Sequence, residues 1–110
     1  MRGTVKSDLN VDSESTAASV TIGSNKVGSV IIYAIHASYS VATGLPKRLT
    51  VTVDGTVRYA VSFTGAGPGP LVFGSQGWYI ESDGSSGVVV SMPAETTAGT
   101  IADLNVVCRA

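Results

Sequence analysis

The amino-acid sequence predicts an all-β protein: a two-sheet antiparallel β-sandwich, jelly-roll-like, of about eight strands. From Ala17 onward, β-branched residues alternate with polar ones in short runs, the pattern of strands that are buried on one face. Glycine- and proline-rich breakers separate these runs, and no window of useful length has helical periodicity. The chain of 110 residues is long enough for one core without metals or disulfides.

The first sixteen residues differ from the rest, because they are polar apart from isolated apolar positions such as Val5, Leu9 and Val11. We expect residues 1–16 to form an extended N-terminal arm rather than a strand of the core. Such arms are either disordered or ordered by a neighbour. Residues 17–110 are then a single sandwich domain, and Leu9 and Val11 are the arm's candidate contact residues.

Eight strands are predicted after the arm, over residues 17–22, 29–40, 47–52, 56–63, 71–73, 78–82, 88–92 and 100–108. Residues 30–35 are apolar on both faces, which indicates a central strand or one that a neighbouring subunit covers. The last strand directs Ala102, Leu104, Val106 and Cys108 inward. Eight strands are typical of a jelly roll or a comparable sandwich.

The element with the clearest sequence pattern is a hairpin over residues 48–63, RLTVTVDGTVRYAVSF. A two-residue loop would set Val51 opposite Arg58 and mix apolar with polar residues on one face. A three-residue loop over residues 53–55, ending on a glycine at positive φ, instead pairs Val51 with Val57. This register is our prediction. Its buried face holds Leu49, Val51, Val57 and Tyr59, and its solvent face holds Arg48, Thr50, Thr52, Thr56, Arg58 and Ala60.

The composition of the chain argues against several classes of function. The net charge is −1 with no basic stripe, which argues against nucleic-acid binding through phosphates. Cys108 is the only cysteine, so no internal disulfide and no cysteine-based metal site can form. The N-terminus lacks the apolar core of a signal peptide, and no apolar run could span a bilayer. We expect synthesis in the cytoplasm and no membrane partner.

No motif predicts catalysis or a cofactor. The glycine-rich segment 65–70 lacks the spacing and the lysine of a phosphate-binding loop. His36 has no second histidine for a zinc site, and no serine lies in a Gly-x-Ser-x-Gly elbow. Glu81 and Asp83 flank a turn without the calcium-loop pattern. We therefore expect no enzyme, metal or cofactor; a small hydrolase that uses His36 is the catalytic alternative.

Trp78 and Tyr79, beside Phe73, form the densest aromatic patch. Alternation sends Trp78 and Tyr79 to opposite faces, so one is core and the other exposed. Exposed aromatic side chains are favoured interface anchors and also sugar-stacking platforms. The polar hairpin face, with Arg48 and Arg58, is either a solvated face or a glycan- or anion-binding surface. The candidate interface residues are Leu9, Val11, Phe73, Trp78, Tyr79, Arg48 and Arg58.

A series of short motifs extends over residues 29–107: ASYS at 37–40, Leu45-Pro46, LTVTVDG at 49–55, Gly67-Pro68 and GTIADLNV at 99–106. This series resembles a family of small structural proteins of tailed bacteriophages. The arm and Trp78-Tyr79 lie outside the match. The resemblance implies a capsid decoration (cement) protein on the virion surface. It also implies a homo-oligomer, with a trimer favoured, that clamps neighbouring subunits of the major capsid protein.

Other binding functions are compatible with the same residues. A carbohydrate-binding or host-recognition module of a head appendage or fibre would need an exposed aromatic side chain beside polar strands. A tail or neck component of the same virion would share the fold and the low charge. Binding to glycans rather than to capsids would separate the first alternative from a cement protein.

Overall fold

Two antiparallel sheets pack face to face in the computed structural model, which describes residues 4–10, 18–22, 27–40, 46–63, 69–93 and 101–109. These residues contain nine strands and no helix, so the predicted all-β sandwich is confirmed. The strands are β1 (Thr4–Asn10), β2 (Ala18–Ile22), β3 (Val27–Tyr39), β4 (Lys47–Val53), β5 (Thr56–Phe63), β6 (Gly69–Val72), β7 (Trp78–Asp83), β8 (Val88–Met92) and β9 (Ala102–Arg109).

The strand order places most sequence neighbours in different sheets. The first sheet has the order β1-β9-β3, and β6 and β7 share the remaining edge of β3; the second has the order β2-β8-β4-β5. The chain therefore passes back and forth between the sheets, as in a jelly roll built from two Greek keys. The eight predicted strands correspond to β2 through β9.

Strand β1 is the element that the sequence did not predict. Residues 4–10 pair antiparallel with β9, from Thr4 opposite Cys108 to Asn10 opposite Ala102. The expectation of an arm rather than a strand is therefore wrong for these seven residues. Without β1, the main-chain N–H and C=O groups along the edge of β9 would have no strand to pair with. Backbone hydrogen bonds satisfy these groups, and they do not require an alternating apolar pattern in β1. The rest of the predicted arm, including Val11, lies outside the described residues.

The core lies between the sheets and is lined by alternate residues of the strands. Ala102, Leu104, Val106 and Cys108 of β9 are all buried, as their alternation predicts. In β2 and β8 the same alternation buries every second residue. Tyr39, at the end of β3, stacks on Phe63 with 5.5 Å between ring centroids, and its hydroxyl donates a hydrogen bond to the carbonyl of Pro93. A buried tyrosine is thus satisfied at its polar end.

The turn of the β4–β5 hairpin has two residues rather than the predicted three. Asp54 has φ 50° and Gly55 has φ 85°, and Val53 pairs with Thr56 across the turn. Positive φ at both central positions is the signature of a type I′ turn, which matches the twist of the flanking strands. Val53 is consequently a buried strand residue and not part of the loop.

In a regular hairpin, a two-residue loop would mix apolar and polar residues on one face, which favours the longer loop. A β-bulge in β5 avoids this mixing. Val57 pairs with Thr52, but the next pair is Val51 with Tyr59, so Arg58 is an extra residue with no residue directly opposite. The predicted pairing of Val51 with Val57 is wrong, and Val57 is 56% exposed instead of buried. Val51 is buried as predicted, and Tyr59 packs against the core while remaining partly exposed.

Strand β3 is the centre of the first sheet, as one interpretation of its apolar sequence predicted. Its pairing with β9 shifts between Ile32 and Ala34, so Tyr33 lies at a second bulge. On the other edge of β3, β7 pairs before this bulge and β6 pairs after it. The intervening segment approaches the bulge, where the amide of Phe73 donates to the carbonyl of Tyr33 at 3.1 Å.

Candidate functional site

Apolar surface is concentrated on one side of the sandwich. The large hydrophobic residues that are exposed, among those described, are Val57, Val72 and Tyr79. The partly buried hydrophobic residues that pack on the core are Tyr59, Val61, Leu71, Phe73 and Trp78. Members of both groups lie on β5, β6, β7 or the segment between β6 and β7, where both sheets have a free edge. Exposed apolar side chains gathered on one side in this way make that side the candidate interaction surface.

Three aromatic rings bridge the two sheets at this side. Tyr59 comes from β5, Phe73 from the segment between β6 and β7, and Trp78 from β7. We name these three residues the aromatic edge. Ring centroids lie 5.3 Å apart for Phe73 and Trp78, 5.7 Å for Tyr59 and Trp78, and 6.1 Å for Tyr59 and Phe73. The two contacts of Tyr59 are edge-to-face, a favourable aromatic geometry. Together with Gly77, the rings line an open depression.

Trp78 and Tyr79 point to opposite faces, as alternation predicts. Trp78 is partly buried against the core, whereas Tyr79 is 57% exposed. The hydroxyl of Tyr79 donates to Oε1 of Glu81 at 3.3 Å, so both side chains stand on the outer face of β7. Of the two aromatic residues, Tyr79 is therefore the more exposed.

The outer face of the first sheet carries a second apolar surface, the outer stripe, which consists of Ile31, Ala34, Val72, Tyr79 and Val107. Tyr79 lies opposite Ile31, and Ala34 lies between Val72 on one neighbouring strand and Val107 on the other. Val72 is 70% exposed, and Ile31, Ala34 and Val107 are partly exposed. A solvated sheet face normally carries polar residues at such positions.

Only part of the predicted interface set comes together. Arg58 lines a shallow groove with Trp78, Tyr79 and Glu81, so these predicted residues join Phe73 on one side of the sandwich. Arg48 is exposed but lies opposite Ser62, on the outer face of the second sheet.

The two residues proposed for the arm lie elsewhere. Leu9 belongs to β1, at the opposite edge of the first sheet from β6 and β7. Its backbone pairs with Asp103 of β9. Val11 lies outside the described residues. The arm and the aromatic patch therefore do not form one surface in the part of the chain that the structure describes.

The acidic turn residue Asp54 makes several polar contacts at this end of the sandwich. Oδ1 of Asp54 accepts hydrogen bonds from the Ser82 hydroxyl at 2.8 Å and from the Ser86 amide at 3.4 Å, and Oδ2 accepts one from the Asp83 amide at 2.9 Å. The amide of Asp54 donates to the Gly87 carbonyl at 2.9 Å. The β4–β5 turn is thereby tied to the β7–β8 connection.

These contacts lower the pKa of Asp54 from its ordinary value of 3.8 to about 2. The main cause is the hydrogen bond from the Asp83 amide, and the contacts with Ser82 and Ser86 add to it, while desolvation acts in the opposite direction. The sequence indicated only a turn at Asp54-Gly55. Its partners lie about thirty residues further along the chain, and no local signal identifies them.

The residues considered for catalysis or metal binding are dispersed. His36 is exposed on the outer face of β3, opposite Pro70 of β6 and Asn105 of β9. Within the described ranges, no group of three or more histidine, cysteine, aspartate or glutamate residues is arranged to hold a metal ion. Cys108 is buried in the core.

Comparison with known proteins does not assign a family. No protein-family model matches this chain, and no curated protein matches it in sequence. In the described part of the chain, no helix is long and apolar enough to cross a membrane. What the protein binds therefore has to be inferred from its surfaces.

Proposed function

We propose that this protein is a virion structural protein that decorates the head of a tailed bacteriophage. In this role it binds the major capsid protein at the capsid surface and stabilises the junctions between capsid subunits. The observation that carries the proposal is the outer stripe, an apolar surface on a sheet face against which no other sheet packs within the described chain. Such a face suits a stoichiometric protein–protein contact.

The shape of the stripe favours a broad protein partner. Its residues occupy directly opposed positions on β6 or β7, on β3 and on β9. Neighbouring strands are about 4.8 Å apart, so the stripe spans roughly 10 Å across three strands. A sheet face of this kind presents a surface rather than a cleft. Burying a side chain such as Val72 contributes about 1.5–3 kcal/mol.

Many weak contacts are sufficient for a decoration protein. A shell presents the same junction many times, and a symmetric oligomer can engage several junctions at once, which multiplies the effective affinity without new kinds of contact. We infer a homo-oligomer, with a trimer favoured, because closed symmetric assemblies are the usual solution for small repeated units and because the resemblance implies one.

The choice of a capsid as partner rests on the resemblance to small phage structural proteins. The order of the motifs from residue 37 to residue 106 is the sequence observation behind it. The jelly-roll strand order is compatible with that family but also serves many unrelated functions. The outer stripe and the motif order therefore carry the proposal together, and the fold does not carry it alone.

The test is co-sedimentation with bare capsids of the phage that encodes the chain, alongside a light-scattering mass of the free protein. We expect a homo-oligomer that pellets with capsids and saturates at a fixed ratio to the major capsid protein. A protein that stays in the supernatant with capsids but pellets with assembled tails would instead be a tail or neck component. Absence from both pellets would overturn a virion role.

A further inference from the structure

Two shallow depressions share Trp78 in their lining. The first is the depression of the aromatic edge, whose lining also includes Gly77. The second is the groove that Trp78 shares with Arg58, Tyr79 and Glu81. Trp78 is thus shared by an apolar depression and by a groove that one cationic and one anionic residue also line. Apolar lining with a few convergent polar groups is the general pattern of a small-ligand site.

We propose that this place binds a hexopyranose unit of an oligosaccharide, with Trp78 as its stacking platform. A pyranose ring has faces rich in C–H groups and a rim of hydroxyl groups. The C–H face packs on an aromatic ring, while the rim hydroxyls donate to the carboxylate of Glu81 and accept from the guanidinium of Arg58. This binding activity goes beyond attachment to a capsid and does not depend on it.

The platform is held in place before any ligand arrives. Tyr59 and Phe73 pack on Trp78 at centroid distances of 5.7 and 5.3 Å, which fixes the indole from two sides. Gly77 has φ 75°, and a Cβ at this position would lie 2.5 Å from Cγ2 of Ile31. Glycine therefore allows this segment to lie close to β3. A site ordered in advance loses less entropy on binding.

The polar partners are exposed and are positioned by the fold. Arg58 is the extra residue of the β5 bulge, and bulges re-aim side chains at the edges of sheets. Glu81 accepts a hydrogen bond from Tyr79 at 3.3 Å through Oε1. Because a carboxylate has about four acceptor positions, Glu81 retains the capacity to bind sugar hydroxyls while this contact persists.

The shape of the surface and its charged side chains favour a saccharide over a flat protein surface as the ligand at this place. Val57 and Tyr79 are more than half exposed, whereas the Trp78 side chain is partly buried against the core. A flat partner would meet the protruding side chains first, while a narrow ring can reach the recessed indole. A neutral sugar also satisfies both Arg58 and Glu81, since its hydroxyls donate and accept.

The experiment uses the fluorescence of Trp78, which is the only tryptophan in the chain. The protein is titrated with soluble hexasaccharides of glucose, mannose and N-acetylglucosamine, and with sorbitol as a polyol that has no ring face. We expect a saturable change in emission with at least one hexasaccharide and none with sorbitol. In saturation-transfer NMR, the same sugar should lose its signal with the variant Trp78→Ala.

Substitutions of exposed residues test the binding site without disturbing the fold. Since one surface hydrogen bond is worth about 0.5–1.5 kcal/mol, Arg58→Gln and Glu81→Gln should each weaken binding roughly threefold to tenfold. Arg48→Gln is the matched control, because Arg48 is an exposed arginine of the same hairpin that lies on another face, and it should bind like the native chain. Circular dichroism confirms that each variant is folded.

Three outcomes would overturn the proposal. The first is no saturable response to any of the three hexasaccharides at millimolar concentration. The second is an equal response to sorbitol. The third is an undiminished sugar signal in saturation-transfer NMR with the folded variant Trp78→Ala, which would place the binding elsewhere. Because no capsid is present, a failure here leaves the result of capsid co-sedimentation unaffected, and the reverse also holds.

Discussion

The hydroxyl of Ser82 donates a 2.8 Å hydrogen bond to the carboxylate of Asp54, which joins a strand of the first sheet to a turn of the second. Ser82 is buried, at 6% exposure, and its oxygen also accepts from the Gly84 amide at 3.1 Å. The contact joins the β4–β5 turn to the end of β7. It therefore holds together the end of the sandwich that carries the groove beside Arg58.

Removing the Ser82 hydroxyl should destabilise the protein. We expect Ser82→Ala to lower the free energy of unfolding by about 1–3 kcal/mol, because the Gly84 amide loses its acceptor in a partly buried position. Urea denaturation followed by circular dichroism measures the change. Ser85→Ala is the control, because Ser85 is exposed and its backbone amide, which donates to the Asp83 carboxylate, is kept in the variant; an equal loss in both variants would contradict this role.

The stability should depend on pH through Asp54. Its pKa in the folded protein is about 2, below its ordinary value of 3.8. A lowered folded-state pKa stabilises the fold above the unfolded value, and this contribution is lost as the pH falls from about 4 to 2. The stability gap between the native chain and Asp54→Asn should be constant from pH 5 to 7 and shrink between pH 4 and 2. A gap that grows on acidification would contradict the assignment.

Gly77 should tolerate a side chain less well than its neighbour Gly74. Both residues have positive φ, 75° and 85°, but an added Cβ meets Ile31 at 2.5 Å only in the case of Gly77, and nothing lies within 4 Å of Gly74. Gly74→Ala should cost about 1–2 kcal/mol of backbone strain. Gly77→Ala should cost roughly 1–3 kcal/mol more from overpacking. Thermal unfolding of both variants tests the order, and equal melting temperatures would be inconsistent with it.

The hairpin register can be tested by truncation. Leu49 is fully buried and Val57 is 56% exposed. Leu49→Ala should therefore lower the unfolding free energy by about 2–5 kcal/mol, whereas Val57→Ala should change it by about 0.5 kcal/mol or less. In the three-residue-loop register, Val57 would be a core residue opposite Val51. A large loss of unfolding free energy in Val57→Ala would support the three-residue-loop register instead.

The fold was predictable because burial alternates within each strand. In β9, four successive inward residues are apolar and the intervening Asp103 and Asn105 are polar, so the inner face can be read from the sequence. Strand β1 lacks this signal, because its pairing with β9 uses backbone groups that every residue has. The hairpin register was missed because a bulge at Arg58 shifts the pairing between two correctly predicted strands.

The candidate site was predictable residue by residue but not as an arrangement. Alternation identified Tyr79 and Trp78 as residues of opposite faces, and one of them as exposed. It could not show that Tyr59 of the other sheet packs on Trp78, because that contact depends on how the sheets are stacked. Nor could it show that Ser82 contacts Asp54, since the two residues lie 28 positions apart.

The most direct test of the proposed function is capsid co-sedimentation with the outer stripe altered. The double variant Val72→Ser, Tyr79→Ser removes the two most exposed apolar side chains of the stripe, and Arg48→Ser changes an exposed residue on the opposite sheet. If the stripe is the capsid contact, Arg48→Ser pellets with bare capsids like the native chain. The folded double variant then loses at least about tenfold in affinity, since each side chain is worth 1 kcal/mol or more. Undiminished pelleting of the double variant would contradict the account.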